Sequence, residues 1–142
     1  MTEAEFTQFL DDISSCFMDR DFALWERRVT LPLSLITQAG PVTLYDRDAL
    51  QENFNHYLSA CRIMELDTIH REPIALEDCR DGSFIGTYRT ELLSKGKRQT
   101  KPYTSSALIE FADGNWRLRS IMNARGHHDW TGYQPHKPGE PK

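Results

Sequence analysis

The sequence predicts an α+β domain in which helices come first and a mostly antiparallel sheet follows. Three observations carry this expectation. Helical periodicity belongs to the segments before Ile63. A short hairpin pattern interrupts it between Thr30 and Tyr45. From Asp67 to Asn123 the chain alternates with the period of a strand and is broken by turn signals. Helices first and a meander afterwards is the order of an α+β domain, because the two kinds of element are segregated along the chain.

The first segment is helical because Phe6, Phe9, Leu10, Ile13 and Phe17 recur at steps of three and four, which puts them on one face. Thr2 and Glu5 have capping-box spacing, and Glu3 and Glu5 favour the positive end of the dipole. Asp21 caps a second, short helix whose apolar stripe is Phe22, Trp25 and Val29. Pro32 is expected to end it, since the residue before proline avoids helical angles. A hairpin follows, with Leu31, Leu33, Leu35 and Thr37 alternating with Ser34 and Ile36, then Gly40-Pro41 and Val42–Tyr45. Asp46 or Asp48 caps the next helix, in which Leu50, Phe54, Tyr57, Leu58 and Cys61 share a face.

Four strands are expected after that, at about residues 67–77, 83–94, 102–111 and 115–123. Arg80-Asp81-Gly82, Lys95-Gly96-Lys97 and Ala112-Asp113-Gly114 are the turns between them. Side-chain parity sorts the faces. Phe84, Gly86, Tyr88, Thr90 and Leu92 share one, as do Tyr103, Ser105, Ala107, Ile109 and Phe111, and Trp116, Leu118, Ser120 and Met122. The opposite face carries charges, with Arg117 and Arg119 expected near Glu91 or Glu110 across strands. Residues 1–125 read as one domain. Residues 126–142 read as a mobile tail, or one that drapes over the body through Trp130 and Tyr133.

The bulk properties bound the function. A chain of 142 residues is one domain by size and buries roughly 68–70% of its unfolded surface without staples. With 39% apolar and 27% charged residues the composition is that of a globular protein. A net charge of −4 argues against a nucleic-acid partner, whose binding domains carry a basic stripe. The opening MTEAEF lacks the features of a signal peptide, and no run approaches the ~20 apolar residues of a membrane span. Cys16, Cys61 and Cys79 are odd in number and widely spaced, as expected for reduced thiols in a cytoplasmic protein, with no metal or redox motif.

The stretches FTQFLDDISSCFMDRDFALWERRV, LPLSLITQAGPVTLYDRDALQENFNHYL and NWRLRSIMNA together give paired helices, hairpin plus helix, and a last strand. In this order the chain, from about Thr2 to Asn123, resembles the cone-shaped α+β barrel superfamily of nuclear transport factor two, ketosteroid isomerases, scytalone dehydratase and SnoaL-like polyketide cyclases. The resemblance implies N-terminal helices packed on a strongly curved, mixed, mostly antiparallel sheet forming a conical barrel, with a conical pocket inside and a homodimer formed through the outer sheet face. Isomerase-like and cyclase-like members carry an acid near the start of the first hairpin as general base. Here Thr30, Leu31 and Leu33 stand at the matching positions, and the expected inner faces of the three late strands hold no Asp or Glu. That mechanism therefore does not transfer. The dehydratase pattern of paired histidines and tyrosines is echoed only by His70, Tyr88 and Tyr103.

The expected function is binding of a small hydrophobic or aromatic molecule, with no cofactor. Trp25, Tyr57, Tyr88, Tyr103, Trp116 and Met122 are the expected ligand-binding residues, because apolar bodies with polar tips suit a small cyclic ligand. The plainer reading is that they fill the cone as core. Gly86, on the inward parity, is expected to leave room beside Tyr88. No catalytic constellation is complete. His70 is a candidate base near neutral pH, or a half-exposed strand histidine whose parity a bulge at Pro73 would change. His127-His128-Asp129 with His136 suggests a metal, but adjacent histidines point apart and no second cluster completes a site. KGKRQTK, residues 95–101, reads as a hairpin tip kept soluble by charge. Two alternatives stand beside the binding domain: an accessory subunit resembling the small subunit of ring-hydroxylating dioxygenases, and a SnoaL-like cyclase, dehydratase or isomerase using His70 and tyrosines.

Overall fold

The structure, a computed structural model, describes residues 1–126, 129 and 130. His127, His128, Tyr133 and His136 lie outside the described residues, so the metal pattern and most of the tail do too. The helices are α1 (Glu3–Met18), α2 (Phe22–Arg27) and α3 (Arg47–Ile63). The strands are β1 (Val29–Thr37), β2 (Gly40–Leu44), β3 (Thr68–Asp78), β4 (Ser83–Ser94), β5 (Lys97–Arg98), β6 (Tyr103–Ala112) and β7 (Asn115–Met122).

Local signals in the chain set the helix starts. The expected capping box forms: Thr2 Oγ1 accepts from Glu5 N at 3.1 Å, and Thr2 N donates to Glu5 Oε1 at 2.8 Å. Asp21 Oδ1 accepts from Leu24 N and caps α2. Asp46, rather than Asp48, caps α3, accepting from Ala49 N at 2.8 Å. The end of α2 differs from expectation. The helix stops at Arg27, Val29 begins β1, and Pro32 lies inside that strand after a cis peptide bond.

The sheet runs β2-β1-β7-β6-β4-β3, with β5 folded back onto β4. Among the described residues the β1–β7 pair alone is parallel, and the other pairs are antiparallel. The sheet is curved and mixed as expected, but β2 and β3 remain its two edges, so the cone is open and not a closed barrel. Asp113-Gly114 supplies the positive φ values, 52° and 77°, that its tight hairpin requires.

The inner face packs against the helices. Helix α1 is the one that lies along the sheet, against β3, while α3 packs on α1, α2 and β2. Phe6, Leu50, Phe54, Leu33, Leu92 and Ile109 are fully buried between the layers. Gly86 has a packing role that parity alone did not reveal. A Cβ there would lie 2.5 Å from Cε1 of Phe6, so the missing side chain is where the Phe6 ring rests on β4. The glycine makes room for helix α1, not for a cavity beside Tyr88.

The outer face is charged. Arg119 pairs with Glu110 at 3.2 Å, as the cross-strand reading anticipated, and Glu91 meets Arg98 at 2.9 Å and Arg89 at 3.6 Å. Arg117 does otherwise. It donates to the carbonyls of Val29 and Ala112, and more weakly to that of Glu26, tying the exit from α2 to the last hairpin. No helix among the described residues is long and apolar enough to cross a membrane.

Candidate functional site

A cavity of about 60 Å³ lies between the helix layer and the inner sheet face. Helices α1, α2 and α3 contribute Phe17, Trp25 and Tyr57. Strands β3, β4 and β6 contribute Arg71, Tyr88, Thr90, Tyr103 and Ser105. Ile13, Leu35, Asn53, Ile121, Ala124, Arg125 and Trp130 complete the wall. Each position follows from local pattern. Tyr57 sits one turn beyond Phe54 on the buried face of α3, and its ring is 5.9 Å from Phe17, which in turn is 5.2 Å from Trp25. Tyr88 and Thr90 are both buried on β4, in the expected phase.

Trp130 forms part of the wall of this space. After β7 the chain is held by Ala124 N donating to Ile36 O, and by Asp129 Oδ2 accepting from Gly126 N at 3.0 Å. This turn returns the indole to the body, where it is 4% exposed. Its Nε1 donates to Tyr103 Oη at 3.0 Å, and its ring is edge-on to Tyr57 at 4.8 Å. Beyond it lies an outer recess of about 360 Å³, bounded by Thr100, Lys101, Pro102 and Asp129. The recess shares Tyr103, Arg125 and Trp130 with the inner cavity. Arg125 lies over the Tyr103 ring at 5.5 Å. Trp130 and Tyr103 are thus the partition between two spaces.

The polar groups of the inner cavity are unevenly satisfied. Tyr57 Oη donates to Arg125 O, and Ser105 Oγ to Asn123 O. Arg71 Nη1 donates to Ser14 Oγ at 2.9 Å, but its Nε is buried without a partner, as are Trp25 Nε1 and Thr90 Oγ1. The Tyr103 hydroxyl lies near Thr90. Burial holds all three tyrosines protonated. It pushes Tyr88 up to about 12, against a downward pull from Arg71. It raises Tyr103 likewise against Arg71, and raises Tyr57 with help from Tyr103. They serve as neutral hydrogen-bonding groups, not as bases. No Asp or Glu among the described residues lines the cavity.

Of the residues expected from the sequence, Trp25, Tyr57, Tyr88 and Tyr103 are brought together at this cavity. Two are not. Trp116 stands at the other end of β7, opposite Phe111. Its ring packs at 5.1 Å from Phe111 and 5.6 Å from Phe84, and its Nε1 donates to Glu5 at the start of α1. Met122 is 59% exposed on the outer face. The cause is a β-bulge at Arg119: Ile109 pairs with Leu118, but the preceding Leu108 pairs with Ser120. The extra residue reverses parity, so Ile121, opposite Ala107, turns inward in place of Met122.

His70 does not reach the cavity either. It is exposed, on the outer face, in register with Glu91. The bulge in β3 falls between Pro73 and Ala75, after His70, so phase runs unbroken from the buried Ile69 to Arg71. Arg71 is the charged cavity-lining residue that the sequence reading missed. Its signal was present: Ile69 is the apolar residue that opens the strand, and it fixes Arg71 on the inner side and His70 on the outer.

No family model matches the chain, and no curated protein matches it. Solved structures do. An NTF-2 like protein of unknown function from Shewanella oneidensis MR-1 is similar at a TM-score of 0.60 and 15% identity, over 85% of this chain and 97% of that one. Aln2 from a Streptomyces species is similar at a TM-score of 0.63 and 14% identity, over 84% of this chain and 86% of that one. A domain of unknown function with a cystatin-like fold from Nostoc punctiforme is similar at 0.62 and 10% identity, over 88% and 79%. At such identities the likeness establishes the nuclear transport factor two-like, cystatin-like cone fold, and that alone.

Proposed function

We propose that the interior of the cone binds a small molecule with an aromatic or other hydrophobic body. The observation that carries this reading is the meeting of Trp25, Tyr57, Tyr88 and Tyr103 around one cavity that also holds partnerless polar atoms. Mostly apolar walls with a few convergent polar groups are the make-up of a ligand site. Tyrosines held protonated and a lining without carboxylates, among the described residues, favour binding over proton transfer.

Size adds a condition. A dry cavity of about 150 Å³ is what holds a benzene ring, and the inner space is about 60 Å³. A ring therefore enters only when Trp130 withdraws, which joins the inner cavity to the outer recess. The test is a thermal-shift and calorimetric titration of the wild type and Trp130→Ala with small aromatic and alicyclic compounds. Concentration-dependent stabilisation is expected, by about 2.7 kcal/mol at a hundred times Kd. Silence from both proteins across the panel would reject the reading.

A further inference from the structure

We propose that the molecule taken by this cavity is a carboxylate, with its charge on Arg71 and its ring or alicyclic body among the tyrosines. The inference rests on the cavity being a binding site, and goes further in assigning the ligand's charge and chemical class.

The argument begins with what Arg71 lacks. A guanidinium has five N–H donors and no way to shed its charge at physiological pH. Arg71 spends one of them, from Nη1, on the neutral hydroxyl of Ser14, and its buried Nε donates to nothing. None of the ion pairs among the described residues includes Arg71. Arg71 is partly buried, and a charge drawn partly out of water without a counter-charge is unfavourable, so proteins pair such groups or leave them for a ligand. The comparison within this chain is direct. Arg28, also partly buried, gives Nε and Nη2 to Asp12 and Nη1 to Asn115.

The surroundings add to the case. Tyr88 and Tyr103, near enough to feel Arg71's charge, remain neutral and can donate to an oxyanion. Arg125, at the rim between the two spaces, is a second cation on the entry side. A cationic ligand would meet both arginines, and a neutral one would leave Arg71 as it is. A carboxylate matches the fork of a guanidinium with two parallel hydrogen bonds. It is also a small planar anion, suited to a tight space whose other walls are rings.

The experiment compares isosteres. Benzoate and cyclohexanecarboxylate are titrated against benzamide and inorganic phosphate, by calorimetry, with the wild type, Trp130→Ala, Arg71→Met and Arg71→Lys. The expected result is at least tenfold tighter binding of benzoate than of benzamide. That preference should be lost in Arg71→Met and partly kept in Arg71→Lys, which retains charge but not the fork. Equal affinity for acid and amide would overturn this inference and leave the binding cavity standing. Phosphate binding more tightly than either carboxylate would overturn the assignment of class. Absence of all binding, in Trp130→Ala as well, would remove the cavity reading itself. If Arg71→Met does not fold, as judged by circular dichroism, the wild-type and Arg71→Lys comparisons still decide.

Discussion

Trp130 Nε1 donates to Tyr103 Oη across 3.0 Å, and this bond joins a residue from beyond the last strand to the wall shared by the inner cavity and the outer recess. The indole is 4% exposed and touches Tyr57 edge-on. Trp130→Ala should therefore act on stability as a core truncation does, at about 3–5 kcal/mol. It should also leave an aromatic-sized hole. Urea titrations with and without free indole check both parts: indole should recover a measurable share of the loss. A cost below about 1 kcal/mol would mean that the indole does not rest in that wall.

At Phe6 and Gly86 helix α1 packs tightly on strand β4. A methyl group at position 86 would stand 2.5 Å from the Phe6 ring, itself 1% exposed. Gly86→Ala should destabilise by about 1–3 kcal/mol through overpacking. Phe6→Leu beside it should relieve part of that, so the two substitutions should be less costly together than their sum. Strictly additive equilibrium denaturation data would refute the contact.

Two neighbouring residues test the bulge at Arg119. Met122→Lys, on the outer face, should change stability by no more than about 0.5 kcal/mol. Ile121→Lys, which aims an ammonium at the cavity beside Arg71, should cost at least about 2 kcal/mol. Regular alternation from Leu118 would reverse that order.

Alkali should unfold the protein early. The folded state holds Tyr57, Tyr88 and Tyr103 protonated above the ordinary tyrosine value of 10.0, with Tyr88 at about 12. Burial likewise lifts Cys16 from 9.0 to about 12 and Cys61 from 9.0 to about 11. The unfolded chain thus releases these protons first and binds fewer than the native state. Stability is complete below pH 9 and falls as pH rises from there, with the tyrosines joining above pH 10. Each group adds a slope of about 1.4 kcal/mol per pH unit while only the unfolded form is ionised. Tyr88→Phe should lower the slope between about pH 10 and 11 by that much in denaturant titrations. A flat profile there would contradict the burial of these hydroxyls.

The fold was legible because its signals are local. Caps at Thr2 and Asp21, the stripe from Phe6 to Phe17, and the Asp113-Gly114 turn each act within a few residues and override nothing elsewhere. The same locality limits the reading of the site. Strand parity is a count, and one unpaired residue resets it. The bulge at Arg119 sends Met122 out and Ile121 in, and nothing in residues 115–123 marks it. His70 and Arg71 show the converse. Their phase runs true from Ile69, because the bulge in that strand comes later, between Pro73 and Ala75.

By itself, then, the sequence determined the order of elements, their faces up to the first irregularity, and the supply of aromatic rings for an interior. Tertiary structure decided which rings meet. It put Trp116 over the start of α1, gave the space at Gly86 to Phe6, and returned Trp130 to Tyr103. It also left Arg71 facing rings with no acid beside it among the described residues. The physical reason is that capping and periodicity are properties of neighbouring residues. Register, close packing and the pairing of a buried charge depend on what distant segments bring, and on what they withhold.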